Sequence, residues 1–159
     1  IRTAWVVSPH RANFLTIILR RARQGGRLKV VADQHGSPTS ARHLAAALAT
    51  VALRLAMDRV APTGTFHVTN AGSTSRHGLA VEILRFAFAG RQGSPSLDPC
   101  ATADLPPAPV RRPANSRLAC GKIARAYGIR LPPWREAIAE IMAELEAGES
   151  APRREGEAT

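Results

Sequence analysis

The sequence predicts an α/β fold, and three observations carry that reading. Segments that alternate apolar and polar residues recur between segments whose apolar residues repeat every three or four positions, so that strand and helix follow one another along the chain. At 159 residues and 45% hydrophobic content, the chain is long enough to bury a core without staples. No internal repeat interrupts the alternation, and no apolar run approaches the roughly 20 residues that a membrane-spanning helix requires.

The opening run Ile1-Arg2-Thr3-Ala4-Trp5-Val6-Val7 reads as a buried strand with no leading loop, as in a chain cut from a longer protein. Ser8 to Ala12 make a turn. Asn13 precedes a helix with Phe14, Ile17 and Ile18 inward and Arg20, Arg21 and Arg23 outward, ended by Gln24-Gly25-Gly26. Leu28 to Ala32 form a short strand that enters the loop Asp33 to Thr39, where Gly36 and Pro38 shape the backbone and Thr39 or Ser40 can cap a second helix. That helix, about Ala41 to Asp58, repeats Leu44, Leu48, Val51 and Leu55 as one buried stripe and is expected to be a core helix.

Pro62-Thr63-Gly64 turns the chain into a strand over Thr65 to Thr69, and Asn70 to Ser75 lead into a helix carrying Leu79, Ile83 and Phe86. From Gly90 to Pro113 the chain is rich in proline and is expected to be irregular. A short helix comes next, around Ser116 to Tyr127, with Ser116 as its expected cap. Pro132-Pro133 then open a last helix with Trp134, Ala137, Ile138, Ile141, Met142 and Leu145 on one face. Residues 148–159 are expected to be a disordered tail, leaving 1–147 as the folded part.

The net charge of +10 raises nucleic acid as a partner, but the distribution argues against it. All but Lys29 and Lys122 of the 22 basic residues are Arg, scattered from Arg2 to Arg154, and 4% aromatic content leaves few stacking platforms. A nucleic-acid binder of this kind would lose affinity steeply with salt and ignore added sugar nucleotide. Neither nucleic acid nor membrane is expected as a partner. Cys100 and Cys120 are too few for a disulfide framework and lack metal-ligand spacing, which suits a reducing cytoplasm, and His35, His43, His67 and His77 show no ligand spacing either.

Beyond this point the residues become specific. Arg2-Thr3-Ala4-Trp5-Val6 with Asn13-Phe14, Val31-Ala32-Asp33-Gln34 through Gly36-Ser37-Pro38-Thr39, Gly64 to Thr69, and Arg112-Pro113-Ala114-Asn115-Ser116-Arg117-Leu118 occur in that order. Together they resemble the dTDP-4-dehydrorhamnose reductases of the extended short-chain dehydrogenase class, and the likeness continues through Gly128 to Pro132 and Trp134-Arg135-Glu136. It implies the C-terminal, sugar-nucleotide-binding part of a Rossmann-like fold whose dinucleotide-binding N-terminal part is absent.

The implied reaction is reduction of dTDP-4-dehydro-L-rhamnose to dTDP-L-rhamnose with NADPH. Mg2+ is left open as a further cofactor and a homodimer as the assembly. The family's Tyr-x-x-x-Lys pair is missing: the one tyrosine, Tyr127, is followed four residues later by Leu131, and no Gly-x-x-Gly-x-x-Gly opens a helix. No catalytic residue is therefore assigned, and the segment alone is expected to be inert.

Six residues are candidates for substrate binding by resemblance and chemistry. Trp5 can pack on sugar or base, or lie in the core. Asn13 can donate to a phosphate or cap its helix. Gln34 and Thr39 flank a loop at the expected cleft edge, where they contact ligand or shape the turn. Arg111 and Arg112 suit a diphosphate, against the alternative of solvated surface. The chain also departs from the family: Arg76-His77 stands where an aromatic pair is usual, Val7 replaces a common Tyr, and Leu105 a common aromatic. These departures motivate the alternative of a non-catalytic, reductase-like regulatory subunit.

Overall fold

Residues 1–90, 92–106, 110 and 112–150 are described by the structure, a computed structural model. In chain order they form β1 (Val6–Val7), α1 (Phe14–Arg23), β2 (Arg27–Val31), β3 (His35–Gly36), β4 (Thr39–Ser40), α2 (Ala41–Met57), β5 (Thr74–Ser75), α3 (Arg76–Ala87), β6 (Ser96–Cys100), a 3-10 turn (Thr102–Asp104), β7 (Asn115–Ser116), α4 (Gly121–Tyr127) and α5 (Trp134–Ser150). The α/β reading holds. The strands are short and fall into three small groups: β1 runs parallel to β4, β2 runs parallel to β6, and β3 lies between antiparallel β5 and parallel β7.

Helix starts are set by the side chains that precede them. Ser40 Oγ accepts the N–H of His43 and Ser75 Oγ accepts that of Gly78, which satisfies donors otherwise orphaned at the first turns of α2 and α3. Gly128, at φ 69, ends α4 in the left-handed conformation that costs a glycine nothing. The helix expected from Ser116 instead begins at Gly121, and Ser116 pairs with Gly36 in β7 rather than capping anything.

Two cores form. The larger joins Val7, the Leu15, Ile18, Leu19 and Ala22 face of α1, Leu28 and Val30 of β2, Leu79, Ala80, Ile83 and Leu84 of α3, and the Trp134, Ile138, Ile141 and Met142 face of α5. The smaller joins Ala47 and Val51 of α2 to Phe66, Val68 and Ile123 of α4. On α1 the inward face is thus Leu15, Ile18, Leu19 and Ala22. Phe14 and Ile17 are only partly buried, since a 100° step per residue cannot turn Phe14, Ile17 and Ile18 inward as fully as the row through Leu15.

Four expectations are corrected. The opening run is not one buried strand: it makes a single bridge, Arg2 to His67, and then the pair β1, because Trp5 at φ 47 turns the backbone between them. Thr65 to Thr69 likewise form no ladder beyond that bridge, held by Arg2 N–H to Phe66 O at 2.8 Å and Val68 N–H to Arg2 O at 2.9 Å. The irregular segment contains the strand β6, in register with β2 from Arg27↔Ser96 to Val31↔Cys100, with Pro99 seated where a lost donor faces away from that partner.

The fourth concerns α2, which is not a core helix. Only Ala47 and Val51 are buried, while Leu48 is 41% and Leu55 46% exposed, because nothing among the described residues covers that side. The last helix is longer than expected, α5 running through Ser150 past the foreseen start of the tail at Gly148. Residues 151–159 lie outside the described ones.

Candidate functional site

The three-stranded group organises the site. His35 and Gly36 of β3 pair with Ser75 and Thr74 on one side and with Asn115 and Ser116 on the other. Two further backbone bonds extend the pairing past the strand start: Arg76 N–H to Gln34 O at 3.0 Å, and His35 N–H to Ala114 O at 2.8 Å. The first residue of α3 and the segment Arg112 to Ala114 are therefore brought to the same end of β3, although 36 positions apart in sequence.

Trp5 is held against this group from the N-terminal run. Its φ of 47 is uncommon for a bulky residue and carries strain of the order of 1–3 kcal/mol, which its surroundings must offset. They do so in two ways. The N–H of Thr39 donates to Trp5 O at 3.1 Å, and the indole lies so close over Gly36 that a Cβ built there would meet indole Cε2 at 2.4 Å. Glycine at 36 is thus required by close approach, not by its dihedral angles.

The Arg76 guanidinium covers the indole, its central carbon 3.9 Å from the Trp5 ring centroid and 5.0 Å from that of Phe14, within cation–π range. Arg76 is half-buried, and burial first, then the charge of nearby Arg112, bring its pKa down to about 10. It remains a cation at neutral pH. Arg112 is exposed and, with Asp33, Thr102, Pro113 and Ala114, lines a shallow recess of about 440 Å³. Asp33 accepts from Thr102 N–H at 2.9 Å and Thr102 Oγ1 at 2.7 Å, and these bonds hold its carboxyl below the usual carboxylate range.

Of the six residues singled out in the sequence, Trp5 and Arg112 are brought to this place, and Gln34 lies beneath it. Gln34 is buried, and its Nε2 donates to Thr102 Oγ1 at 3.1 Å, so its amide ties the loop to the 3-10 turn. Thr39 is 0% exposed with its hydroxyl donating to Ser37 O, an arrangement that matches the turn-shaping alternative. Asn13 is a cap. Its Oδ1 accepts the N–H groups of Leu15 and Thr16, its Nδ2 meets the carbonyls of Ser8, His10 and Arg11, and Thr16 Oγ1 accepts its N–H, so no free donor is left for a phosphate. Arg111 lies outside the described residues.

Two features escaped the sequence reading. Arg76 figures there only as a departure from the family's aromatic pair, whereas its guanidinium lies on the Trp5 ring; no short motif signals it, because Trp5 is 71 positions away. Asn70 is the other. Fully buried, it accepts the Ser40 N–H at Oδ1 and spends Nδ2 on Pro132 O and His43 Nδ1, each at 2.9 Å. If the amide donates to Nδ1, the His43 proton sits on Nε2, which faces Glu140 at 2.9 Å. No spacing in the sequence links these residues.

Asn70 also borders a cleft of about 520 Å³ between Val68–Gly72 and α4, with Ser37, Cys120, Arg125 and Arg130 among its walls. This cleft contains none of the six candidates. Its walls are mixed, it lacks an aromatic platform, and it opens on the side where α2 is uncovered. Among the described residues, no group of three or more His, Cys, Asp or Glu comes together as a metal cluster, and no helix is long and apolar enough to cross a membrane.

Residues 1–147 match the family model described as the RmlD substrate binding domain. A dTDP-4-dehydrorhamnose reductase of Sinorhizobium fredii is 39% identical over 145 residues, which are 89% of this chain and 48% of that protein. The crystal structure of a dTDP-4-dehydrorhamnose reductase from Clostridium acetobutylicum superposes with a TM-score of 0.80 at 31% identity, over 91% of this chain and 48% of that one. The Bacillus anthracis reductase, solved in complex with NADP, gives 0.71 at 26% identity, over 90% and 46%. The chain spans about half the length of the curated relatives it matches.

Proposed function

We propose, because this chain belongs to the RmlD substrate-binding domain family, that the protein containing it reduces dTDP-4-dehydro-L-rhamnose to dTDP-L-rhamnose with NADPH, in the cytoplasm, this segment being the C-terminal part that holds the sugar nucleotide. The observation that carries the reading is the match over residues 1–147; the part of the segment that suits the ligand by its chemistry is Trp5 with Arg76 and the nearby Arg112. The part of the Trp5 indole left open beside the Arg76 guanidinium can pack on a sugar or thymine ring, and a guanidinium offers paired donors to a diphosphate. Gln34 supports that place from below through its amide and its carbonyl.

The residues present do not fit a dinucleotide by themselves. No glycine-rich turn opens a helix in the sequence, and the Tyr127 hydroxyl, the one phenol in the chain, donates to Pro62 O away from Trp5. No proton transfer or hydride step is assigned to this segment; its work is binding and orientation. A homodimer and a use of Mg2+ belong to the same proposal, tested by mass in solution and by chelation.

The test is NADPH oxidation with dTDP-4-dehydro-L-rhamnose by the protein expressed at its full genomic length, compared with Trp5→Ala. Trp5→Ala is expected to raise KM by about tenfold, the loss of one ring contact, with a smaller effect on kcat. No turnover by the unaltered protein would favour the second reading, a reductase-like regulatory subunit. What speaks for that reading is that Arg76 occupies the ring of Trp5.

A further inference from the structure

Arg76 is a half-buried cation with no ion pair to an acid among the described residues. Among the described residues its side chain meets only the rings of Trp5 and Phe14, and its backbone N–H goes to Gln34 O. Other arginines differ: Arg27 pairs with Asp98 at 2.9 Å, Arg54 with Asp58 at 2.8 Å and Arg85 with Glu82 at 2.8 Å, each guanidinium being largely exposed and yet paired with an acid. The charge that bears on Arg76 is of its own sign, from Arg112. Asp33, two residues before β3, accepts from Thr102 N–H and Oγ1 and forms no ion pair with either guanidinium among the described residues. Burying a charge is costly unless it is paired, and two like charges at one strand end add to that cost.

A cation–π contact offsets part of the loss but leaves the edge of the guanidinium, with its N–H fork, unused. An oxyanion that bridged both guanidiniums would answer both the burial and the repulsion. The arrangement also explains why Trp5 is held in a strained conformation over Gly36: the indole gives Arg76 a flat support that fixes the plane of its fork.

We infer that Arg76, laid on the Trp5 ring and set beside Arg112, binds the diphosphate of the sugar nucleotide and determines affinity at this site. The inference rests on the sugar-nucleotide reading above and adds a residue which that reading does not use. A phosphate of NADPH shares the same chemistry, so the experiment separates the two sources.

Calorimetric titrations of the full-length protein with dTDP, thymidine, inorganic pyrophosphate and NADPH would compare the unaltered protein with Arg76→Gln, Arg76→Lys and Arg76→Phe. Arg76→Phe keeps a flat group on Trp5 but removes both the charge and the fork, while Arg76→Lys keeps the charge and loses the fork. The expected result is a dTDP Kd raised about tenfold or more in Arg76→Gln and Arg76→Phe and less in Arg76→Lys, with thymidine and NADPH unaffected. The salt dependence of dTDP binding falls in the same two variants.

Restoration of dTDP affinity by Arg76→Phe would overturn the inference, since a lid on Trp5 would then suffice. So would equal losses for dTDP and thymidine, or a loss confined to NADPH. The two readings fail separately. Turnover of the keto-sugar with unchanged KM in Arg76→Gln refutes the role of Arg76 and leaves the reductase standing. Pyrophosphate binding that depends on Arg76 in a protein without turnover leaves the anion site and removes the reductase.

Discussion

The two cores differ in completeness. In the larger, four elements close on one another: α1, α3 and α5 each turn an apolar face to the β2 side, and Trp134 at 2% exposure sits among them. In the smaller, α2 lies on Phe66 and Val68 with only Ala47 and Val51, and its far side carries Leu53 at 63% and Met57 at 85% exposure. An apolar helix is stable in water only when its stripe is covered. The first region is thus a finished layer pair, and the second is one layer of a pair. In a chain spanning about half the length of its relatives, that difference marks which side has room for more protein.

The comparison can be broken most directly in the finished core. Leu79→Ala or Ile138→Ala, at positions with no exposure, should cost about 2–5 kcal/mol of unfolding free energy in urea titrations of the full-length protein. A loss below about 1 kcal/mol would mean that this core is loosely packed and the contrast misjudged.

The next effect concerns the staple between the regions. Asn70 joins Ser40 at the start of α2 to Pro132 just before α5, and Asn70→Ala strands the Ser40 N–H and the Pro132 carbonyl. About 1–3 kcal/mol should be lost, and amide exchange should quicken at the first turn of α2 before that of α1. Equal acceleration in both helices would show the two regions to be one cooperative unit.

A smaller and more diagnostic effect is expected on the uncovered side. Where water reaches Leu48 and Leu55, replacing either with Ser should change stability by less than about 0.5 kcal/mol. Measured in the full-length protein, a cost of about 2 kcal/mol or more would show that the face is covered there, and would sharpen the comparison.

Acid should produce the smallest change. Asp33 and Asp98 both titrate below the ordinary carboxylate range, Asp33 through its bonds from Thr102 and Asp98 through Arg27 and then Ser96. A carboxyl lowered by folding contributes stability that is present above its unfolded pKa and lost as pH falls through the folded one. Asp33 is exposed and Asp98 only partly buried, so the loss should be slight and confined to the region below about pH 4. Carboxyl chemical shifts followed by NMR would check it, and titration of Asp33 at or above the ordinary value would remove the Thr102 contacts.

Much of the larger region was legible because its elements satisfy their periodicities within the chain. The apolar face of α5, from Trp134 to Met142, is buried as its spacing requires, and α3 buries Leu79 and Ile83 as expected. Where the sequence misled, the partner was remote. β6 contains Asp98 and Pro99, residues that strands usually avoid, and becomes a strand only by pairing with β2 about 70 positions earlier. The stripe on α2 is real as a pattern, but a pattern shows which side wants cover, not whether cover is present.

The site divides in the same way. Trp5 and Arg112 were singled out by chemistry and resemblance and lie near the same strand group, whereas the side chains of Asn13 and Thr39 bond to groups within a few residues of themselves. Arg76 was hidden because its meaning depends on an indole 71 positions away and on a like charge 36 positions away, neither of which any short motif encodes.

The two tryptophans make the chain its own optical reporter. Trp134 is sealed in the larger core, while Trp5 is half-open beneath a guanidinium, so they occupy unlike surroundings and emit from unlike dielectrics. Light from Trp134 should track the melting of the finished region. That from Trp5 should respond to collisional quenchers and to any ligand that shifts Arg76, so a single pair of emission bands separates occupancy from unfolding without a dye or a label.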